Sequence, residues 1–238
     1  MNNLPFAISL LFGATTFLTV GFFYKATNRS KTTLIILLAW LALQTLIGLS
    51  GFYKVTDTIP PRFGFLILPP LLFITGLFIT SKGKQYIDSL DVKALTILHA
   101  VRVPVEMVLL LLFVNKAVPE LMTFEGRNFD ILSGLTAPVI YYFGFIKKRI
   151  SNKVILLWNF ICLGLLINIV LNAVLSAPFP FQKFGFDQPN IALLYFPFVW
   201  LPCCVVPLVL LSHLVTIRQL LNSRRPAVLV HSKLSAKH

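Results

Sequence analysis

The stretch VKALTILHAVRVPVEMVLLLLFV, residues 92–114, decides how this chain is read. Coiled as a helix at ~1.5 Å per residue, a run of that length crosses the ~30 Å hydrocarbon layer of a bilayer. Yet it carries His99, Arg102 and Glu106 in its interior. At 100° per residue, the three lie within about 60° of one another on one helix face. An ionised side chain at the bilayer centre costs at least ~2.5–3.5 kcal/mol on insertion scales, so that face must turn toward the bundle interior or a wet cavity. Arg102 and Glu106, spaced i, i+4, are placed to pair, although Arg before Glu is the less favourable order. Pro104 between them deletes a backbone hydrogen bond and frees the carbonyl of Ala100.

The rest of the chain repeats the apolar pattern. Of its 238 residues 57% are hydrophobic and 12% charged, with a mean hydropathy of +0.83. Soluble domains sit near ~45–50% apolar and ~25% charged. Apolar runs cover residues 4–24, 33–52, 63–80, 92–114, 131–146, 154–177 and 191–215. The prediction is an all-α, seven-transmembrane-helix integral membrane bundle over residues 1–221, followed by a basic cytoplasmic tail, 222–238. The fifth run is short and is expected to recruit part of FEGRNFD (124–130) or to sit in a thinner region. The N-terminal segment lacks a basic n-region, and its apolar run is too long for a signal-peptide core, so it is read as a retained first span.

Lys and Arg alternate between the connections. KATNRSK (25–31) has three, SKGKQYIDSLDVK (81–93) three, KKRISNK (147–153) four and the segment after the last run (216–238) five, whereas the intervening connections have two, two and one. The positive-inside bias therefore puts the N-terminus outside and the C-terminus in the cytoplasm. It also accounts for the +13 formal charge, so nucleic-acid binding is not expected. Arg218, Arg224 and Arg225 read first as a topology anchor; such a cluster also attracts anionic lipid at about 1 kcal/mol per charge. Cys162, Cys203 and Cys204 all lie in apolar runs, which points to neither a disulfide framework nor a zinc site.

Further polar residues could join helix four. Gln44 is mid-span in the second run, and Asn168 and Asn172 share a face of the sixth, with Asn159 opposite. Intramembrane amides of this kind commonly tie helices together. Glu125, Arg127 and Asp130 stand at the outer mouth, Asp130 where an N-cap of helix five belongs. His99 and His213 fall at similar depth, which raises an axial haem pair as an alternative to two unrelated histidines; no other cofactor is indicated. Pro197, Pro202 and Pro207 kink or curve the seventh helix. The loop SAPFPFQKFGFDQPN (176–190) brings four phenylalanines to the headgroup region. Neither a retinal lysine in helix seven, a phosphate-cradling glycine loop, an HExxH helix nor a GxSxG elbow is found.

VPELMTFEGRNFDILSGLTAP (118–138) and FDQPNIALLYFPFVWLP (186–202) resemble uncharacterised multi-pass inner-membrane proteins of Bacteroidetes-type bacteria. The resemblance implies a bacterial inner-membrane location and brings no activity with it. From the residues, the leading expectation is a polar pocket of His99, Arg102, Glu106, Glu125, Arg127, Asp130, Gln44, Asn168 and Asn172 that binds or transports a small solute or lipid. Arg102 would hold an anionic group, with Glu106 as counter-charge or proton carrier. The alternative is a membrane enzyme on a lipid or isoprenoid, with Glu106 or Glu125 protonating an alkene. A structural subunit that docks a partner helix is the third.

Overall fold

A computed structural model describes residues 4–223. Arg224, Arg225 and most of the basic tail, with the anionic-lipid contact expected of it, lie outside the described residues. Among those described the structure is helical, without strands: α1 (Phe6–Ala26), α2 (Lys31–Leu49), α3 (Gly64–Ile79), α4 (Ser81–Asp88), α5 (Val92–Leu98), α6 (Arg102–Val114), α7 (Ile131–Ile140), α8 (Asn152–Leu175) and α9 (Val206–Asn222). Five helical stretches are long and apolar enough to cross a membrane: α1, α2, Val92–Val114, α8 and Leu201–Asn222. A sixth is counted if α3 and α4, bent by 93°, form one broken span. The apolar helix Ile131–Ile146 is shorter, about 24 Å at 1.5 Å per residue. The protein is an integral membrane helical bundle.

Prolines explain most of the departures from regular helix. At the deciding stretch, α5 ends at Leu98, a tighter 3-10 turn covers His99–Val101, and α6 restarts at Arg102. Pro104 thereby falls in the first turn of α6, where its missing N–H has no helical partner to lose. Pro138 precedes a wider π turn at Tyr141–Ile146, and Pro202 lies inside another at Leu201–Val205. Such widenings absorb a backbone group that a regular helix could not pair. The seventh run, expected from residue 191, becomes helical only at Leu201. Pro197 interrupts it, and residues 191–200 form a 3-10 turn and loop whose Leu193, Leu194, Phe198 and Val199 are buried.

The connection after α3, expected to be a plain loop, contains α4. Thr80 Oγ1 accepts from Gly83 N (3.1 Å) to cap it. A side chain at residue 83 would put its Cβ 2.5 Å from Leu77 Cα, so glycine permits the sharp turn. Arg218 of α9 holds Asp88 with two 2.8 Å hydrogen bonds, and Gln219 Nε2 donates to the carbonyls of Ile87 (2.9 Å) and Leu90 (3.0 Å). At the opposite end the phenylalanine loop folds back over the helices. Phe179 packs on Phe63 at 5.4 Å, and Gln188 Nε2 donates to the carbonyls of Phe113 and Val118.

Helix α9 and the α5–α6 span are the most enclosed, and the latter packs against α1, α7 and α9. On α1 the buried hydroxyls of Thr15, Thr16 and Thr19 each donate to the carbonyl four residues earlier. Their polarity is thus satisfied within the helix. Helix α2 is peripheral.

Candidate functional site

Three faces meet the polar side of the central span. Gly134 brings the first close: a Cβ there would lie 2.8 Å from Val103 Cγ2 and 2.9 Å from Val103 N. Small residues let membrane helices approach backbone to backbone in this way. Asp130, four residues earlier on the same face of α7, then reaches Arg102, with Oδ1 3.0 Å from Nη1. From α8, the Cys162 carbonyl accepts from the same Nη1 at 3.4 Å. From α9, His213 Nε2 stands 3.1 Å from Arg102 Nη2.

The hydrogen bonds determine the protonation of His213. A guanidinium only donates, so Nε2 accepts and the proton sits on Nδ1. That N–H donates to Asn159 Oδ1 at 2.9 Å. Asn159 Nδ2 in turn donates to the Ile155 carbonyl (2.9 Å), which fixes the orientation of the amide. His99 stacks on His213 with ring centroids 3.8 Å apart and planes at 18°, and Trp158 meets His99 edge-on at 5.6 Å. Trp158 Nε1 donates to Thr136 Oγ1 of α7 (2.9 Å). Neither ring nitrogen of His99 has a hydrogen-bond partner among the described residues.

Glu106 is not the ion-pair partner of Arg102. Its two carboxylate oxygens lie 2.6 Å from Asn128 Nδ2, a residue the sequence reading passed over. Asn128 Oδ1 also accepts from Asp130 N at 3.0 Å, closing an Asx turn at the start of α7. Asn128 thus takes the local role expected of Asp130, whose side chain makes no cap. The Asp130 carboxylate is left for Arg102. Although 3.0 Å from Nη1, its Oδ1 accepts no aligned hydrogen bond.

Beside this cluster lies a cleft of about 200 Å³ between α3, α6, α8 and α9. Ile67, Val105, Leu109, Leu166 and Val170 form much of its wall, and Pro202 and Pro207 of the kinked seventh span close one side. Glu106 and Asp130 are its only polar lining side chains among the described residues. Leu71 of α3 and Ile167 and Leu171 of α8 also line it; each is more than a third exposed, so the cleft opens sideways between those helices. Arg102 does not line it.

The structure thus brings together His99, Arg102, Glu106 and Asp130, but not the remaining residues of the expected pocket. Glu125 and Arg127 are exposed in the loop before α7, the Arg127 guanidinium 5.8 Å from the Phe184 ring centroid. Asn168, also exposed, donates to the Arg127 carbonyl (3.0 Å) and accepts weakly from Asn172 (3.5 Å). Gln44 lies apart, its Oε1 accepting from Tyr53 Oη at 2.5 Å. On α8 it is the face of Asn159 and Cys162 that meets the cluster. As for haem, axial ligands direct ring nitrogens end-on at an iron between them, whereas His99 and His213 lie face to face.

Fold and site together define a helical integral membrane protein with a buried charged cluster at the inner end of an apolar cleft. The chain belongs to the family described as domain of unknown function DUF8737, whose model matches residues 59–221. That range runs from before α3 into α9 and contains every side chain of the cluster and the cleft. No curated protein and no solved structure matches the chain.

Proposed function

We propose that the protein binds an apolar molecule taken sideways from the bilayer, its chain in the cleft and its polar end against Glu106 and Asp130. The carrying observation is the cleft itself: hydrocarbon walls, a mouth on the lipid-facing side, and two carboxyls at the inner end. Ligand sites are mostly apolar with a few placed polar groups, and this one has that composition. Arg102 directs its Nη atoms at Asp130, Cys162 and His213, which removes the support for an anionic solute.

A second reading is favoured by Glu106 lining the cleft. A carboxylic acid beside a bound polyene is positioned to give its proton to one alkene carbon. The π pair of a second alkene in the same chain then attacks the resulting cation to close a ring, and the new cation loses a proton to restore a double bond. Binding is the step common to both readings.

The proposal includes seven crossings of a bacterial inner membrane, N-terminus outside, with α3 and the α7 span crossing where the bilayer is thinned around them. The alternating loop charges support this orientation. So does the meeting of three basic segments at one end of the bundle, where Asn28 donates to the Ser89 carbonyl (3.2 Å) and Arg218 binds Asp88.

Mass spectrometry of the molecules that co-purify in mild detergent tests the binding claim. The wild-type protein is expected to carry an apolar compound that the cleft-filling variants Leu166→Trp and Val170→Trp lose. If folded wild type and variants carry the same molecules, the cleft is not a binding site.

A further inference from the structure

Granting that the cleft binds a ligand, we infer that its occupant is a single-chain amphiphile whose head is neutral or cationic and donates hydrogen bonds. A long-chain alcohol or amine meets that description, and a phosphate or carboxylate does not. The charge count is the first support. The cluster holds one guanidinium, Arg102, against two carboxyls, Glu106 and Asp130. The other titratable groups facing it are His213, whose Nε2 is an acceptor, His99 stacked upon it, and the free, buried Cys162 thiol. Carboxyls exceed guanidinium by one, and an uncompensated buried charge is costly, so a proton or a cationic head completes the balance. An anionic head would deepen the imbalance.

The hydrogen-bond inventory agrees. Arg102 Nη1 and Nη2 spend their hydrogen bonds on the Cys162 carbonyl and His213, with Nη1 also 3.0 Å from Asp130 as its ion-pair partner, and Asn128 Nδ2 is taken by Glu106 and the Met122 carbonyl (3.0 Å). The Asp130 carboxylate, which lines the cleft, accepts no aligned hydrogen bond from any described side chain. A buried acceptor is completed by a donor. Size sets the rest. About 200 Å³ holds roughly seven groups at ~30 Å³ each, a head and half a dozen carbons. The remainder of one chain would lie along Ile167 and Leu171 at the mouth.

The test loads nanodiscs containing the protein with dodecanol, dodecylamine, dodecyl phosphate or dodecanoate, one at a time, and counts adducts by native mass spectrometry. Dodecanol and dodecylamine are expected to exceed the two anions by roughly 10-fold or more, the effect of one unmatched buried polar group. Glu106→Gln is expected to lower the amine adduct by a similar roughly 10-fold factor and to spare the alcohol. Should that variant not fold, Val170→Trp, which fills the cleft without touching the charges, is expected to abolish both adducts. Anionic probes bound as well as the others would overturn the head-group inference and leave the cleft as a binding site. Adducts that persist in Val170→Trp, or none with a folded wild type, would remove the binding site itself.

Discussion

Asp130→Asn leaves the Arg102 guanidinium buried, with the Cys162 carbonyl and the His213 ring as its remaining close polar contacts. Removing one partner of a buried pair costs about 3–5 kcal/mol, because the surviving charge keeps its desolvation penalty without its compensation. At ~2–4 °C per kcal/mol for a chain of this size, the melting temperature falls by roughly 6–20 °C. Arg102→Met alone strands the Asp130 carboxylate and is expected to cost a similar amount. The double substitution Arg102→Met, Asp130→Leu removes both charges and puts hydrocarbon in their place, a change that is often neutral or stabilising. Thermal unfolding of the purified protein, followed by tryptophan fluorescence, is the assay for all three variants. The double variant is predicted to melt near wild type, with a coupling of several kcal/mol between the two sites. Strictly additive losses would refute the Arg102–Asp130 pairing.

Gly134→Ala places a Cβ 2.9 Å from the Val103 backbone nitrogen, so α7 must move off α6. Overpacking of this kind costs about 1–3 kcal/mol, and an unchanged melting temperature would show that the two helices are not in close contact there. Asn128→Ala strips Glu106 of both its amide contacts and opens the Asx turn, at a cost of about 1–3 kcal/mol in the same assay. The Asp88 carboxyl, exposed at the end of α4, is held below its ordinary value of 3.8 chiefly by its hydrogen bonds to Arg218. Its stabilisation is therefore present above about pH 4 and lost as the pH falls through the lowered folded value. The pair is largely solvated, so about 0–1 kcal/mol is at stake. Arg218→Ala should flatten the acid limb of the stability curve there, and an unaltered limb would contradict the pairing.

The membrane class was legible from hydropathy, and the break in the deciding stretch from Pro104. Helix α4 was not, because its sharp turn depends on the close approach of Gly83 to Leu77, which the Thr80 cap alone does not reveal. Partner choice inside the bundle was hidden for a related reason. Spacing along one helix identifies Glu106 as a neighbour of Arg102, but Asp130, His213 and Asn128 come from other elements. Asn128 did leave a local trace, since Asn two residues before Asp at a helix start is an Asx-turn signal. For α8, the matched pair Asn168 and Asn172 drew attention to one face while Asn159, alone on the other, made the contact. A helical wheel ranks faces by composition and cannot tell which one meets a histidine on α9.

A structure of the protein in lipid nanodiscs by electron cryo-microscopy tests the central claim most directly. The prediction is elongated density entering between α3 and α8 and ending within ~3.5 Å, hydrogen-bonding reach, of the Glu106 or Asp130 carboxylate. If α3 instead closes against α8 and hydrocarbon side chains fill the space beside those two residues, the cleft is not a site.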